Sequence, residues 1–130
     1  MPTSDFEIYY YVDEKGTAPV REYILNLPEG QRVKAFSFIN FLSGEGYNVR
    51  RPFADYLGGQ TGLYELRPKP SRIIYFFTHR NKIVLLHAFT KKTKAIPERE
   101  LRIALDRKEN CDILIKFDRA EFEGETRLSN

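Results

Sequence analysis

The chain has 130 residues, one cysteine, no tryptophan and a formal charge of +3, and its residues are 42% hydrophobic, 14% aromatic and 30% charged. That apolar content is enough for one hydrophobic core and argues against global disorder, while a lone Cys111 excludes an intrachain disulfide. No apolar run approaches the roughly 20 residues of a membrane span, and the opening MPTSDFEIYY lacks a charged-then-apolar signal region, so a cytoplasmic protein without membrane partners is expected.

The run FEIYYYV at residues 6–12 is β-prone and reads as the first strand. Asp13, Glu14, Lys15 and Gly16 make a turn, and Thr17 is placed to cap a helix with Pro19 in its first turn. Val20, Tyr23, Ile24 and Leu27 fall at i, i+3, i+4 and i+7, one helical face. Pro28 and Gly30 punctuate, and a second helix is expected over about residues 31–43, with Gly44 ending it. Its apolar set (Val33, Ala35, Phe36, Phe38, Ile39, Phe41, Leu42) is wide enough to predict a mostly buried helix, and the two helices make a hairpin. Residues 45–61 lose the pattern and read as a loop with one helical turn around residues 53–57; Arg50 and Arg51 in this loop are within reach of a partner, although exposed loop arginines are usually just solvated.

Residues 63–67, 72–78 and 82–89 are three aromatic- and aliphatic-rich β-segments. The links Pro68-Lys69-Pro70-Ser71 and His79-Arg80-Asn81 are short turns, the second using an asparagine that tolerates positive φ, so the segments form an antiparallel meander. Lys91, Lys92 and Lys94 follow. Pro97 opens a third helix with Glu98 and Glu100 in its first turn and Arg107 and Lys108 in its last, as the helix dipole favours. Ile96, Leu101, Ala104 and Leu105 supply its apolar face. Residues 112–117 suggest a further strand, and the acidic end is expected to fray. The fold class is therefore α+β: N-terminal strand, helical hairpin, three-stranded antiparallel meander, then a helix. Residues 1–110 form the domain, and residues 111–130 are a short extension whose end is expected to be disordered.

Charge is unevenly placed. Residues 1–62 and 111–130 each carry −2, whereas residues 63–110 carry +7. A local excess of this kind suits a phosphate-bearing partner, although lysines and arginines are also ordinary solvated surface. Arg67 and Arg72 are planar forks suited to phosphate oxygens, with Lys91, Lys92 and Lys94 as further phosphate contacts. Strand alternation puts Leu63, Glu65 and Arg67 on one face, so Glu65 is placed to pair with or orient an arginine. His87 has the side chain suited to proton transfer near neutrality, but alternation sets it with Ile83, Leu85 and Phe89, where a histidine is more often structural. His79 reads as an exposed turn residue. Two histidines and one cysteine at distant positions match no metal-ligand spacing, and Gly58-Gly59-Gln60-Thr61-Gly62 precedes a strand and lacks the phosphate-loop ending. No metal or cofactor is expected.

The blocks LYELR (residues 63–67), RIIYFF (72–77), IVLLHAFTKKT (83–93) and Pro97, in this order and spacing, resemble the signature of phage-derived HigB-like toxins of the RelE/ParE superfamily. The likeness includes the helical hairpin with Pro19 and the loop from Pro52 to Leu57, and spans roughly residues 6–110. It implies a RelE-like fold and the toxin of a toxin–antitoxin module: a ribosome-dependent endoribonuclease that cuts messenger RNA, without metal, through the RNA's own 2′-hydroxyl. It also implies an antitoxin partner, of helix-turn-helix type, and the ribosome and its message as targets. On this reading Arg67, Arg72, His87 and Lys91 are the catalytic candidates. Many RelE-type toxins carry a tyrosine or histidine after the third helix; here no tyrosine follows Tyr75 and no histidine follows His87, and Asn110 and Cys111 stand in that region. That departure leaves open a gyrase-inhibiting toxin of the ParE type, or a non-catalytic RNA- or protein-binding domain on the same scaffold. The −2 balance of residues 111–130 further allows the tail to lie across the basic face.

Overall fold

The computed structural model describes residues 6–118. The chain runs β1 (Glu7–Val12), α1 (Pro19–Leu25), α2 (Glu29–Glu45), a 3-10 turn (Gly46–Asn48), β2 (Ala54–Tyr56), β3 (Tyr64–Leu66), β4 (Ser71–Thr78), β5 (Lys82–Thr90), α3 (Glu98–Glu109) and β6 (Ile113–Lys116). The six strands make one mixed sheet in the order β2-β3-β4-β5-β1-β6. The expected antiparallel meander is its centre. β1 adds in parallel beside β5, with Ile8 opposite Ile83 and Tyr10 opposite Leu85, and β6 pairs antiparallel on the outside of β1.

Two cores lie on opposite faces of this sheet. Ile8, Tyr10, Val12, Ile73, Tyr75, Ile83 and Leu85 meet Val20 and Ile24 of α1 and Phe36, Ile39 and Leu42 of α2. Tyr11, Leu63, Ile74, Val84 and Leu86 meet Ala104 of α3, with Leu101 and Leu105 half-buried against them. The continuous apolar run from Ile83 to Leu86 is thereby explained: β5 is covered on both faces, so neither side of it needs to be polar.

Several local expectations change. Ala18, not Thr17, precedes α1 as its cap, and the Thr17 backbone N–H donates to Asp13 Oδ1 at 2.9 Å instead, which closes the turn after β1. α2 continues through Gly44 and ends at Gly46, where φ is +52°. A Cβ at Gly46 would overlap the Phe6 ring, while nothing lies close to Gly44, so the second glycine carries the constraint. α2 is also less buried than its composition predicts: Phe41 is 42% exposed, and Phe41 and Phe38 both lean on Phe53. The expected helical turn at residues 53–57 is instead the edge strand β2. Pairing of Ala54, Asp55 and Tyr56 with Leu66, Glu65 and Tyr64 gives its backbone the partners that one isolated helical turn lacks. In the β4–β5 turn both Arg80 and Asn81 take positive φ, 64° and 58°. The expectations for residues 119–130, including the tail across the basic face, lie outside the described residues. No helix among the described residues is long and apolar enough to cross a membrane.

Candidate functional site

Strict alternation along β5 would keep His87 and Phe89 with Ile83 and Leu85, and a β-bulge overturns this. The ladder pairs Tyr75 with Leu85 and then Ile74 with His87, so Leu86 is an extra residue. One inserted residue inverts the facing of everything beyond it. His87 and Phe89 consequently join Ile74 and Arg72 on the α3 side of the sheet, with the His87 and Phe89 rings stacked at 5.5 Å.

On the same side, β3 delivers Glu65 and, just past its end, Arg67. The Glu65 side chain is only 1% exposed; its Oε1 accepts from Arg67 Nε at 2.9 Å and its Oε2 lies 3.5 Å from Arg72 Nε. Glu65 therefore does pair with the arginines. Asp55 of β2 is a second anion, 3.4 Å from Arg67 Nη2, and its Oδ2 also accepts from Arg51 Nε at 2.9 Å. Arg72 Nη1 donates to the Ser71 carbonyl at 3.2 Å. Burial lowers the Arg72 pKa from its ordinary value; Glu65 works against that and Arg67 with it. An arginine remains charged through such shifts. Three guanidiniums thus converge on two carboxylates, which leaves one positive charge in excess beside a buried anion. A phosphate is the kind of ligand that completes such a set, because its oxygens match the forks.

His87 sits between two side chains of α3. Its Nε2 is 2.6 Å from Glu100 Oε1, and Arg107 Nη1 approaches its Nδ1 at 3.3 Å. Arginine has only donors, so Nδ1 is the acceptor and the proton is on Nε2, donated to Glu100. Desolvation lowers the His87 pKa from 6.5, with Arg107 acting in the same direction and the Glu100 hydrogen bond opposing. Arg107 also donates to the Leu86 carbonyl at 3.0 Å, in the bulge itself, and lies 5.4 Å from the centre of the Tyr11 ring. The histidine is therefore neutral and engaged at both nitrogens, set into a polar triad on the face opposite Ile83 and Leu85, with Phe89 alone of the predicted neighbours beside it.

Beyond β5 a cleft of about 270 Å³ is lined by Phe89, Lys91, Lys92, Thr93, Pro97 and Glu100 among others. Lys91 is half-exposed and its backbone N–H donates to Pro70, while Lys92 and Lys94 are exposed. The cleft adjoins His87 through Glu100 and Arg72 through Phe89, its ladder partner. The fold thus gathers Arg67, Arg72, His87, Lys91 and Lys92 at one end of one sheet face; Lys94 does not line the cleft. His79 is exposed in its turn. At the end of α3, Asn110 Nδ2 donates to the Asp106 carbonyl and Cys111 Sγ to that of Lys108, and burial pushes the Cys111 thiol up. Both groups there close a helix end.

Three members of this constellation escape sequence reasoning. Asp55 lies in a segment expected to be helical. Glu100 and Arg107 are explained by the helix dipole, yet with Ala104 they fall at i, i+4 and i+7, and that shared face is the signal that they point at the sheet. Among the described residues no three His, Cys, Asp or Glu side chains gather as metal ligands.

The family described as phage derived protein Gp49-like (DUF891) matches residues 22–109, more than half of the chain and nearly everything from α1 to the end of α3. No curated protein matches the chain.

Proposed function

The chain belongs to the Gp49-like family, RelE/HigB-like toxins of toxin–antitoxin modules, and we propose that it arrests translation by cutting messenger RNA on the ribosome. The observation that carries this reading is the pair of arginines, Arg67 and Arg72, held by one buried carboxylate beside a lysine-lined cleft. In the reaction the RNA 2′-oxygen attacks the adjacent phosphorus and the bond to the 5′-oxygen breaks, leaving a 2′,3′-cyclic phosphate and a free 5′-hydroxyl. Arg67 and Arg72 stabilise the charge that builds on the phosphate oxygens. Glu100 lines the cleft and takes the 2′-hydroxyl proton. Lys91 returns a proton to the leaving oxygen. His87, hydrogen-bonded to Glu100 and Arg107, acts in this reading by orienting the Glu100 carboxylate. Lys92 and Lys94 contact flanking phosphates.

Proton transfer here depends on how the message is seated against Glu100 and Lys91, so cleavage of free RNA is slow and ordering of the message by the ribosome contributes the remaining rate. A toxin of this kind has an antitoxin partner, and we assign that partner to a small helix-turn-helix protein that shields the arginine face. The test is to map RNA 5′ ends after induced expression. Codon-phased cuts in translated messages, reduced about a hundredfold or more in Arg67→Ala and Arg72→Ala, are expected from the loss of one transition-state donor. Growth arrest with intact messages would overturn the reading, and accompanying DNA damage would point to gyrase inhibition.

A further inference from the structure

Four of the large hydrophobic side chains that the described residues leave exposed lie on the stretch from the last turns of α2 to the end of β2: Phe41 at 42%, Tyr47 at 58%, Phe53 at 42% and Tyr56 at 45%. Such side chains are normally covered, and the ring contacts show that these are held in place. Tyr47 rests on Phe77 at 4.2 Å between ring centres, Tyr56 on Tyr64 at 5.0 Å, and Phe53 on Phe41 at 5.3 Å. Arg50 and Arg51 lie between these rings in the chain, and both are exposed. They line, with Asp55 and Tyr56, a cavity of about 350 Å³. Arg50 is fixed by donating to the Tyr47 carbonyl at 2.8 Å.

This surface is joined to the arginine cluster. Asp55 Oδ2 is 2.9 Å from Arg51 Nη2 and 3.4 Å from Arg67 Nη2, so at the edge strand one carboxylate links Arg51 to the Glu65 pair on the α3 side, while Tyr56 and its ladder partner Tyr64 face the α2 side. We infer that the Tyr47–Tyr56 segment is a second binding site, for single-stranded RNA flanking the cleaved bond, with bases stacked on Tyr47 and Tyr56 and phosphates held by Arg50 and Arg51. This rests on the proposed function and adds to it a path for the strand. Rings interleaved with fixed guanidiniums are what a sequence-tolerant single-strand site needs, since every base has a stacking face and every linkage a charge. Two observations favour this occupant over a protein: arginines separate the aromatics, and the patch, on the α2 side of the sheet, meets the positive cluster of the α3 side around the β2 edge, where Asp55 pairs with both Arg51 and Arg67.

The test is fluorescence anisotropy of the full-length protein with labelled oligo(A) and with an abasic oligomer of the same length. Tyr47→Ala/Tyr56→Ala should weaken oligo(A) binding about tenfold or more and leave abasic binding unchanged. Tyr47→Leu/Tyr56→Leu, which keeps apolar bulk without an aromatic face, should show the same loss. Arg50→Ala/Arg51→Ala should weaken both ligands and lower the salt slope by about 1.4, the sum for two single-strand phosphate contacts. These side chains are exposed, and circular dichroism would verify that each variant folds. Wild-type oligo(A) affinity in the tyrosine and arginine variants, while Arg67→Ala still binds less, would overturn the second site alone. So would full affinity in the leucine variant, or loss of antitoxin binding with RNA affinity intact, which would make the patch a protein interface. Wild-type protein that binds neither oligomer would also overturn it, whereas the cleavage reading is judged separately by 5′-end mapping.

Discussion

Glu65→Ala tests the centre of the site. The carboxylate is almost wholly buried and faces two arginines whose side chains are 25% and 11% exposed. Removing it strands Arg72, which retains only the Ser71 carbonyl at 3.2 Å, while Arg67 keeps Asp55 at 3.4 Å. Removing one partner of a buried pair costs about 3–5 kcal/mol, because an uncompensated charge remains. The quarter-exposed Arg67 adds little to that figure, since water screens it. Glu65→Gln keeps an acceptor for Arg67 Nε and should cost about 1.5–3 kcal/mol, the worth of a hydrogen bond to a charged group. Total stability for a domain of this size is about 5–15 kcal/mol, so both variants should fold, with clearly lower urea midpoints at constant m-value. Both should also lose message cleavage, since the arginines lose their common anchor. A Glu65→Ala cost below about 1 kcal/mol, in the range of an exposed surface pair, would refute the buried-clamp argument.

Two further outcomes concern the fold around the site. The His87 pKa lies below 6.5 in the folded chain, so between that lowered value and 6.5 the unfolded chain binds a proton that the folded one does not. Stability should therefore rise with pH across that window and fall on acidification through it; His87→Gln should flatten this part of the urea-midpoint profile, and an unchanged slope would show that the histidine does not titrate as argued. Gly46→Ala combines positive φ with an overlap on the Phe6 ring and should cost about 2–4 kcal/mol by urea unfolding, whereas Gly44→Ala, inside α2 with open space around it, should be neutral or stabilising.

Much of the fold was legible in the chain because the signals were local. The meander follows from β-prone runs and turn residues, α1 from Pro19 and the shared face of Val20, Tyr23 and Ile24, and α3 from Pro97 and the sign of its terminal charges. Pairing of Glu65 with Arg67 was legible too, since residues two apart on a strand share a face. β2 was not: a three-residue strand has no periodicity of its own, and its conformation is decided by the partners that β3 offers. The termination of α2 at Gly46 was equally hidden, because the Phe6 ring that forbids a side chain there comes from a distant part of the chain.

The sequence by itself determined which charges this protein owns and where along the chain they fall, with Arg67, Arg72, Lys91 and Lys92 clustered in the one net-basic segment. Only the tertiary structure decided which way they face and what else faces with them. A single extra residue at Leu86 moves His87 to the α3 side, where Glu100 and Arg107 engage both of its nitrogens. Alternation is a property of one strand, but a bulge is a property of two strands in register, and no periodicity within β5 encodes what β4 does opposite it.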